Sequence, residues 1–181
     1  FGEGRLMEAR RLCAAAHEFF KTSPMRGKSV LAQLLLARIA LRMNEAPQAR
    51  QYCQSALNDL KQMDLPIVQY QAEFLMGEIE RAAGKQEEAY QSYVRARMAV
   101  ERLRGNLRGE ELKIAFFGNK LEVYEHLVDL CLHRPGSLEE AFEYVEQAKS
   151  RTLIDQLNHS VHIPAEAQTG QSELVRTIRT F

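Results

Sequence analysis

Apolar residues along this chain recur at helical rather than alternating spacing. Between Val30 and Met43 the apolar set Leu34, Leu35, Leu36, Ile39 and Leu41 predicts a strongly apolar helix. A second is predicted over Ile67 to Ala83, a third from near Gln86 to about Arg104, and a fourth from about Glu110 to His133. In the fourth, Ile114, Phe117, Leu121, Tyr124, Val128 and Cys131 fall along one face. Pro24 and Pro66 stand in the connections, where proline ends one helix and can open the next.

The helices repeat. Gly4, Asn44 and Gly84 lie forty residues apart, and Gly136 follows after fifty-two. Five residues on from each comes an alanine: Ala9, Ala49, Ala89 and Ala141. Cys13, Cys53, Tyr93 and Val145 follow four residues later, then Ala16, Ala56, Ala96 and Ala148. Each position has a physical task. Gly or Asn turns the chain through positive φ at a helix end. Acidic residues such as Glu8, Glu88 and Glu140 sit in the first turn of the next helix, where its dipole favours them. The first alanine lets paired helices approach, the residue four further fills the space between them, and the second alanine lets the next pair stack. Small residues Ala37 and Gly77 lie seven before Asn44 and Gly84 and permit the same close approach; the fourth copy has Asp129 there.

Composition narrows the classes of function. The 24 Lys+Arg balance the 24 Asp+Glu, so the chain lacks the basic field of a nucleic-acid binder. No run of about 18 apolar residues exists to span a membrane. Cys13, Cys53 and Cys131 are odd in number and widely spaced, which suits small buried hydrophobes in a reducing compartment. No Gly-rich phosphate loop, HExxH or GxSxG occurs. His159 and His162 are three apart with no carboxylate or Cys partner nearby, so neither a metal site nor a cofactor is expected. Arg95, Arg97, Arg102, Arg104 and Arg108 form a local basic cluster, read as a solvated helix face with an anion site as the sharper reading.

The offsets of small residue, turn glycine, alanine, aromatic or apolar residue and second alanine resemble the tetratricopeptide repeat (TPR) over residues 4–148. The usual period is about 34 residues, so forty implies helices longer by one or two turns. The resemblance implies an all-α, right-handed superhelix of antiparallel helix pairs, a TPR-like solenoid whose concave face is lined by the first helix of each pair. By that likeness the groove residues are Arg38 and Arg42, then Phe74, Glu78 and Arg81, then His126, Leu130 and Arg134. Arginines beside apolar residues suit a protein or peptide ligand that carries carboxylates.

Residues 119–157 narrow the resemblance. The run Glu146-Gln-Ala-Lys149-Ser-Arg151-Thr-Leu-Ile-Asp155-Gln-Leu157 is similar to the last repeat before a CHAT domain, a caspase-like module that follows TPR arrays, mostly in bacteria. That likeness implies a half repeat at 1–23, repeats at about 28–63, 67–104 and 110–157, and a linker and opening helix of a following domain at 158–181. It also places the family's catalytic His and Cys beyond Phe181, so no catalytic role is assigned within this chain. The function it implies is a cytoplasmic scaffold or sensor region that binds a protein or peptide and regulates that C-terminal domain. Contact with nucleic acid or membrane is not expected. Alternative readings are the ligand-sensing TPR region of a transcription regulator, an enzyme fragment using its own Cys or His, and a structural oligomeriser.

Overall fold

A computed structural model describes residues 3–106 and 121–160, with side chains over 4–102 and 121–149. Among the described residues it holds seven α-helices and no strand: α1 (Glu3–Lys21), α2 (Arg26–Arg42), α3 (Ala46–Leu60), α4 (Pro66–Ala82), α5 (Gln86–Asn106), α6 (Glu122–Leu132) and α7 (Leu138–Ser160). The expected helices are present among the described residues, except that the fourth, expected to run unbroken from about Glu110 through Leu121, begins only at Glu122, with Leu121 as its cap in a turn. The part of the fourth before residue 121, with Ile114, Phe117 and Arg108, lies outside the described residues, as do His162 and the rest of the segment from 161 to 181. The backbone of α7 continues to Ser160, slightly past the expected start of the linker at 158. None of the described helices is long and apolar enough to cross a membrane.

The turns are built as their residues dictate. Asn44 (φ 61°), Gly84 (φ 75°) and Gly136 (φ 79°) all adopt the left-handed conformation. After α2, the Glu45 N–H donates to Ala40 O at 2.9 Å and the Asn44 N–H to Leu41 O at 3.0 Å. After α4, forty residues on, the Lys85 N–H donates to Glu80 O at 2.8 Å and the Gly84 N–H to Arg81 O at 3.0 Å. Both ends are the paired Schellman bonds that satisfy the last helix carbonyls. Pro66 opens α4 and Pro47 lies in the first turn of α3, where the missing N–H costs nothing.

Two parts of the register differ from the expectation. Gly4 lies inside the first turn of α1 and not in a turn before it. At the fourth copy the chain turns through Arg134-Pro135-Gly136-Ser137, with the Ser137 N–H donating to Arg134 O at 3.3 Å. Proline second and a positive-φ glycine third make a type II turn. That turn sets Gly136 three residues past the helix cap His133, whereas Gly84 directly follows its cap Ala83. Asp129 is therefore out of step with Gly77, and its carboxylate turns to α4, where Arg81 Nη2 holds it at 2.7 Å.

Consecutive helices pack against one another, with the most extensive contact between α4 and α5. Two apolar clusters form the core. One joins α2, α3 and α4 through Val30, Leu34, Cys53, Leu75 and Ile79; the other joins α4 to α7 through Phe74, Tyr93, Val123, Leu127 and Tyr144. Burying each large aliphatic side chain contributes about 1.5–3 kcal/mol, and α4 supplies both clusters from different sides. The repeat alanines Ala49, Ala56, Ala89 and Ala96 are wholly inaccessible, and Ala141 nearly so. Cys53 and Cys131 are buried as expected, while Cys13 is only half-buried. Burial pushes the Cys53 thiol up to about 12, aided by the nearby acids Glu73 and Glu80.

The helix-pair contact shows one trade of volume. A Cβ on Gly77 would lie 2.5 Å from Tyr93 Cε1 and 2.7 Å from its Cδ1, so only glycine admits that ring. Forty residues earlier the same places hold Ala37 and the smaller Cys53, both wholly buried.

Candidate functional site

The first helices of three successive pairs, α2, α4 and α6, carry the expected groove residues. Arg38 and Arg42 are exposed on α2, and neither is held in an ion pair among the described residues. Glu78 on α4 is half-buried. Burial raises its carboxyl above the usual range, Arg38 pulls it down and Glu122 on α6 raises it again. Glu78 therefore feels a charge from each of the two neighbouring first helices, α2 and α6.

A second group lies beside them. Arg81 Nη1 donates to His126 Nδ1 at 2.8 Å while its Nη2 holds Asp129. The His126 ring stacks on Tyr93 with centroids 4.8 Å apart and an interplanar angle of 14°. Phe74 packs against both, 5.5 Å from each centroid. Phe74 and Leu130 are core residues, at 8% and 7% exposure, and support this face from beneath. Arg134 stands apart. Its guanidinium lies 4.5 Å over the Tyr90 ring, with Nη2 2.5 Å from Glu140 and Nη1 3.5 Å from Glu87. Tyr90 donates its hydroxyl to Glu140 and lies 3.1 Å from the Tyr144 hydroxyl, so Arg134 tightens the junction of α5 with α7.

Burial lowers the His126 pKa below its usual 6.5, and Arg81 lowers it further; Glu122, Asp129 and Glu125 oppose. A neutral ring accepts the hydrogen bond from Arg81 Nη1, whereas a protonated one cannot. The depressed folded value gives stability that is present above pH of about 6.5 and lost as pH falls through the folded pKa. Buried Glu73 and half-buried Glu78 are shifted upward and act in the opposite sense, gaining relative stability as pH falls toward 4.5. His126→Phe keeps the stack but removes the titration. Wild type is expected to lose melting temperature relative to that variant as pH drops from about 7.5 to about 5; parallel pH curves would contradict it.

The described arginines of the presumed cluster do not act together. Arg95 Nε pairs with Glu73 at 2.9 Å and Arg102 with Asp64 at 2.8 Å, whereas Arg97 turns to Gln147 at 3.1 Å. The side chains of Arg104 and Arg108 lie outside the described residues.

Sequence reasoning missed two buried acids on α4. Glu73 and Glu80 are 7% and 2% exposed and face a cleft of about 630 Å³ between α3, α4 and α5, together with Leu57, Met76, Arg50 and Arg95. Arg50 Nε reaches Glu80 at 2.5 Å and Lys85 Nζ lies 3.7 Å away. The register carried a signal for this. Where Arg50 finds Glu80, Arg10 has Ala40 at the equivalent place and reaches Glu45 at 2.9 Å instead. An acid set among Phe74, Leu75, Met76 and Ile79, with an arginine one repeat-helix away, marks a buried pair.

Among the described residues no group of three or more His, Cys, Asp or Glu is placed to hold a metal ion. The His159 side chain lies outside the described residues. No family model matches this chain, and no curated protein matches it.

Proposed function

We propose that the helix pairs stack as a right-handed, TPR-like superhelix and that the chain is a protein- or peptide-binding region with no chemistry of its own. In this reading it is the cytoplasmic sensor or scaffold part of a bacterial CHAT-domain protein, regulating a caspase-like effector domain C-terminal to it. The ligand acts by favouring one curvature of the array, to the extent of its differential affinity for the two states. One observation carries the reading: α2, α4 and α6 bring Arg38, Glu78, Arg81 and His126 to one face, and on it Arg38 and Arg42 are exposed cations outside any ion pair among the described residues. An acidic segment laid along the first helices meets those guanidiniums and leaves the salt-bridged Arg81 in place.

The test is fluorescence anisotropy with labelled Asp/Glu-rich peptides. Wild type is expected to bind, and Arg38→Glu/Arg42→Glu to bind at least about tenfold more weakly, since a charge-assisted hydrogen bond is worth about 1.5–3 kcal/mol. Unchanged circular dichroism in the variant would keep the comparison clean. Equal affinity moves the site elsewhere. Sequencing the gene past the Phe181 codon tests the effector: a caspase-like His and Cys support it, and a helix-turn-helix replaces it with a regulator's sensor.

A further inference from the structure

A second cleft, of about 480 Å³, lies where the end of α1, the start of α2 and the end of α3 meet. It is the forty-residue counterpart of the cleft over Glu73, with Gln33 in the place of Glu73 and Ser55 in the place of Arg95. The two buried groups are satisfied differently. Glu73 accepts from Arg95 Nε at 2.9 Å. Gln33, 5% exposed, donates both N–H bonds of Nε2, to Ser55 Oγ at 3.3 Å and Asp59 Oδ2 at 3.1 Å. Its Oε1 is buried and has no hydrogen-bond partner among the described residues. A buried amide oxygen in a polar cleft calls for a donor.

The rest of the lining says what the donor belongs to. Lys21, 4.0 Å from Glu18, and Arg26 are exposed cations on the wall, and Ser29 Oγ lies 3.0 Å from His17 Nδ1 beside them. Asp59 is the one carboxylate among the described lining residues and already accepts from Gln33. Apart from Met63 the lining is polar, which excludes an apolar ligand. The volume falls within the range of small-molecule sites. Ser55 in place of an arginine leaves the cleft open to such a molecule. Gln33 and Arg38 are five positions apart, about 140° around α2, so this site is separate from the peptide-binding face and stands or falls without it.

We infer that this cleft binds a small hydroxylated anion of the hexose-phosphate class, with a ligand hydroxyl donating to Gln33 Oε1 and the phosphate held by Lys21 and Arg26. Thermal melting of the whole chain in rising glucose 6-phosphate reads it out, with glucose and inorganic phosphate as the separate halves. A saturable rise is expected with glucose 6-phosphate and much less with either half. Gln33→Glu/Ser55→Arg rebuilds the Glu73–Arg95 pair inside the cleft and should weaken binding at least tenfold. Lys21→Gln/Arg26→Gln, both exposed, should weaken it several-fold and serves as the deciding variant if the first fails to fold. The inference is overturned by no saturable rise, by an equal rise with phosphate or glucose alone, or by unchanged affinity in the variants.

Discussion

Gly77→Ala is expected to destabilise the chain by up to about 2 kcal/mol, although alanine is the better helix former. The helical gain is about 1 kcal/mol. Against it stands overpacking of about 1–3 kcal/mol, because the new Cβ falls 2.5 Å from a ring that is wholly buried. The ring has nowhere to swing, since His126 stacks at 4.8 Å and Phe74 sits at 5.5 Å. Gly27→Ala is the control. Its Cβ meets only the end of the Leu65 side chain at 3.3 Å, and a gain of about 0.5–1 kcal/mol is expected. In a Tyr93→Cys background, which copies the Ala37 and Cys53 of the preceding repeat, the cost of Gly77→Ala should vanish. Urea unfolding of the four members of that cycle measures the coupling. An equal cost in both backgrounds would mean that volume is not traded across this contact.

Arg50→Ala should be worse than losing the whole pair. Glu80 is held at 3% side-chain exposure by Arg50 at 2.5 Å. Truncating one partner of a buried pair costs about 3–5 kcal/mol when both are desolvated. Arg50 is half-exposed and Lys85 remains 3.7 Å from the carboxylate, so the expected loss is nearer 2 kcal/mol after allowance for solvent screening. Adding Glu80→Ala, the residue found at the equivalent position Ala40, should recover part of that loss. A double variant less stable than Arg50→Ala would show that the acid packs favourably without its base.

The local devices of this fold are written locally, and those were legible. Asn44, Gly84 and Gly136 sit where the backbone turns left-handed, and Ala49, Ala89 and Ala141 are buried where helices approach. A turn of this kind needs only a few neighbouring residues, so its signature survives in the linear order. Gly4 fits the same spacing yet lies within α1, because period alone cannot say where a helix starts. Partner choice across helices was the part not legible. Arg95 and Arg97 are two apart in sequence, but helix geometry sends one to Glu73 and the other to Gln147. The type II turn at Arg134 to Ser137 carries Gly136 two residues further past its helix than Gly84, so the seven-residue offset lands on Asp129, which pairs with Arg81. Of the expected groove, Arg81, His126 and Phe74 do meet, Arg134 engages Tyr90 and Glu140, and Leu130 belongs to the core.

The central claim is that a ligand is bound by the face of the first helices. Amide chemical-shift mapping during titration with an Asp/Glu-rich peptide tests it most directly. The account predicts shifts centred on Arg38, Arg42, Glu78, Arg81 and His126, on α2, α4 and α6. Shifts confined to α3 and α5, around Arg50, Arg95 and Arg102, would contradict it.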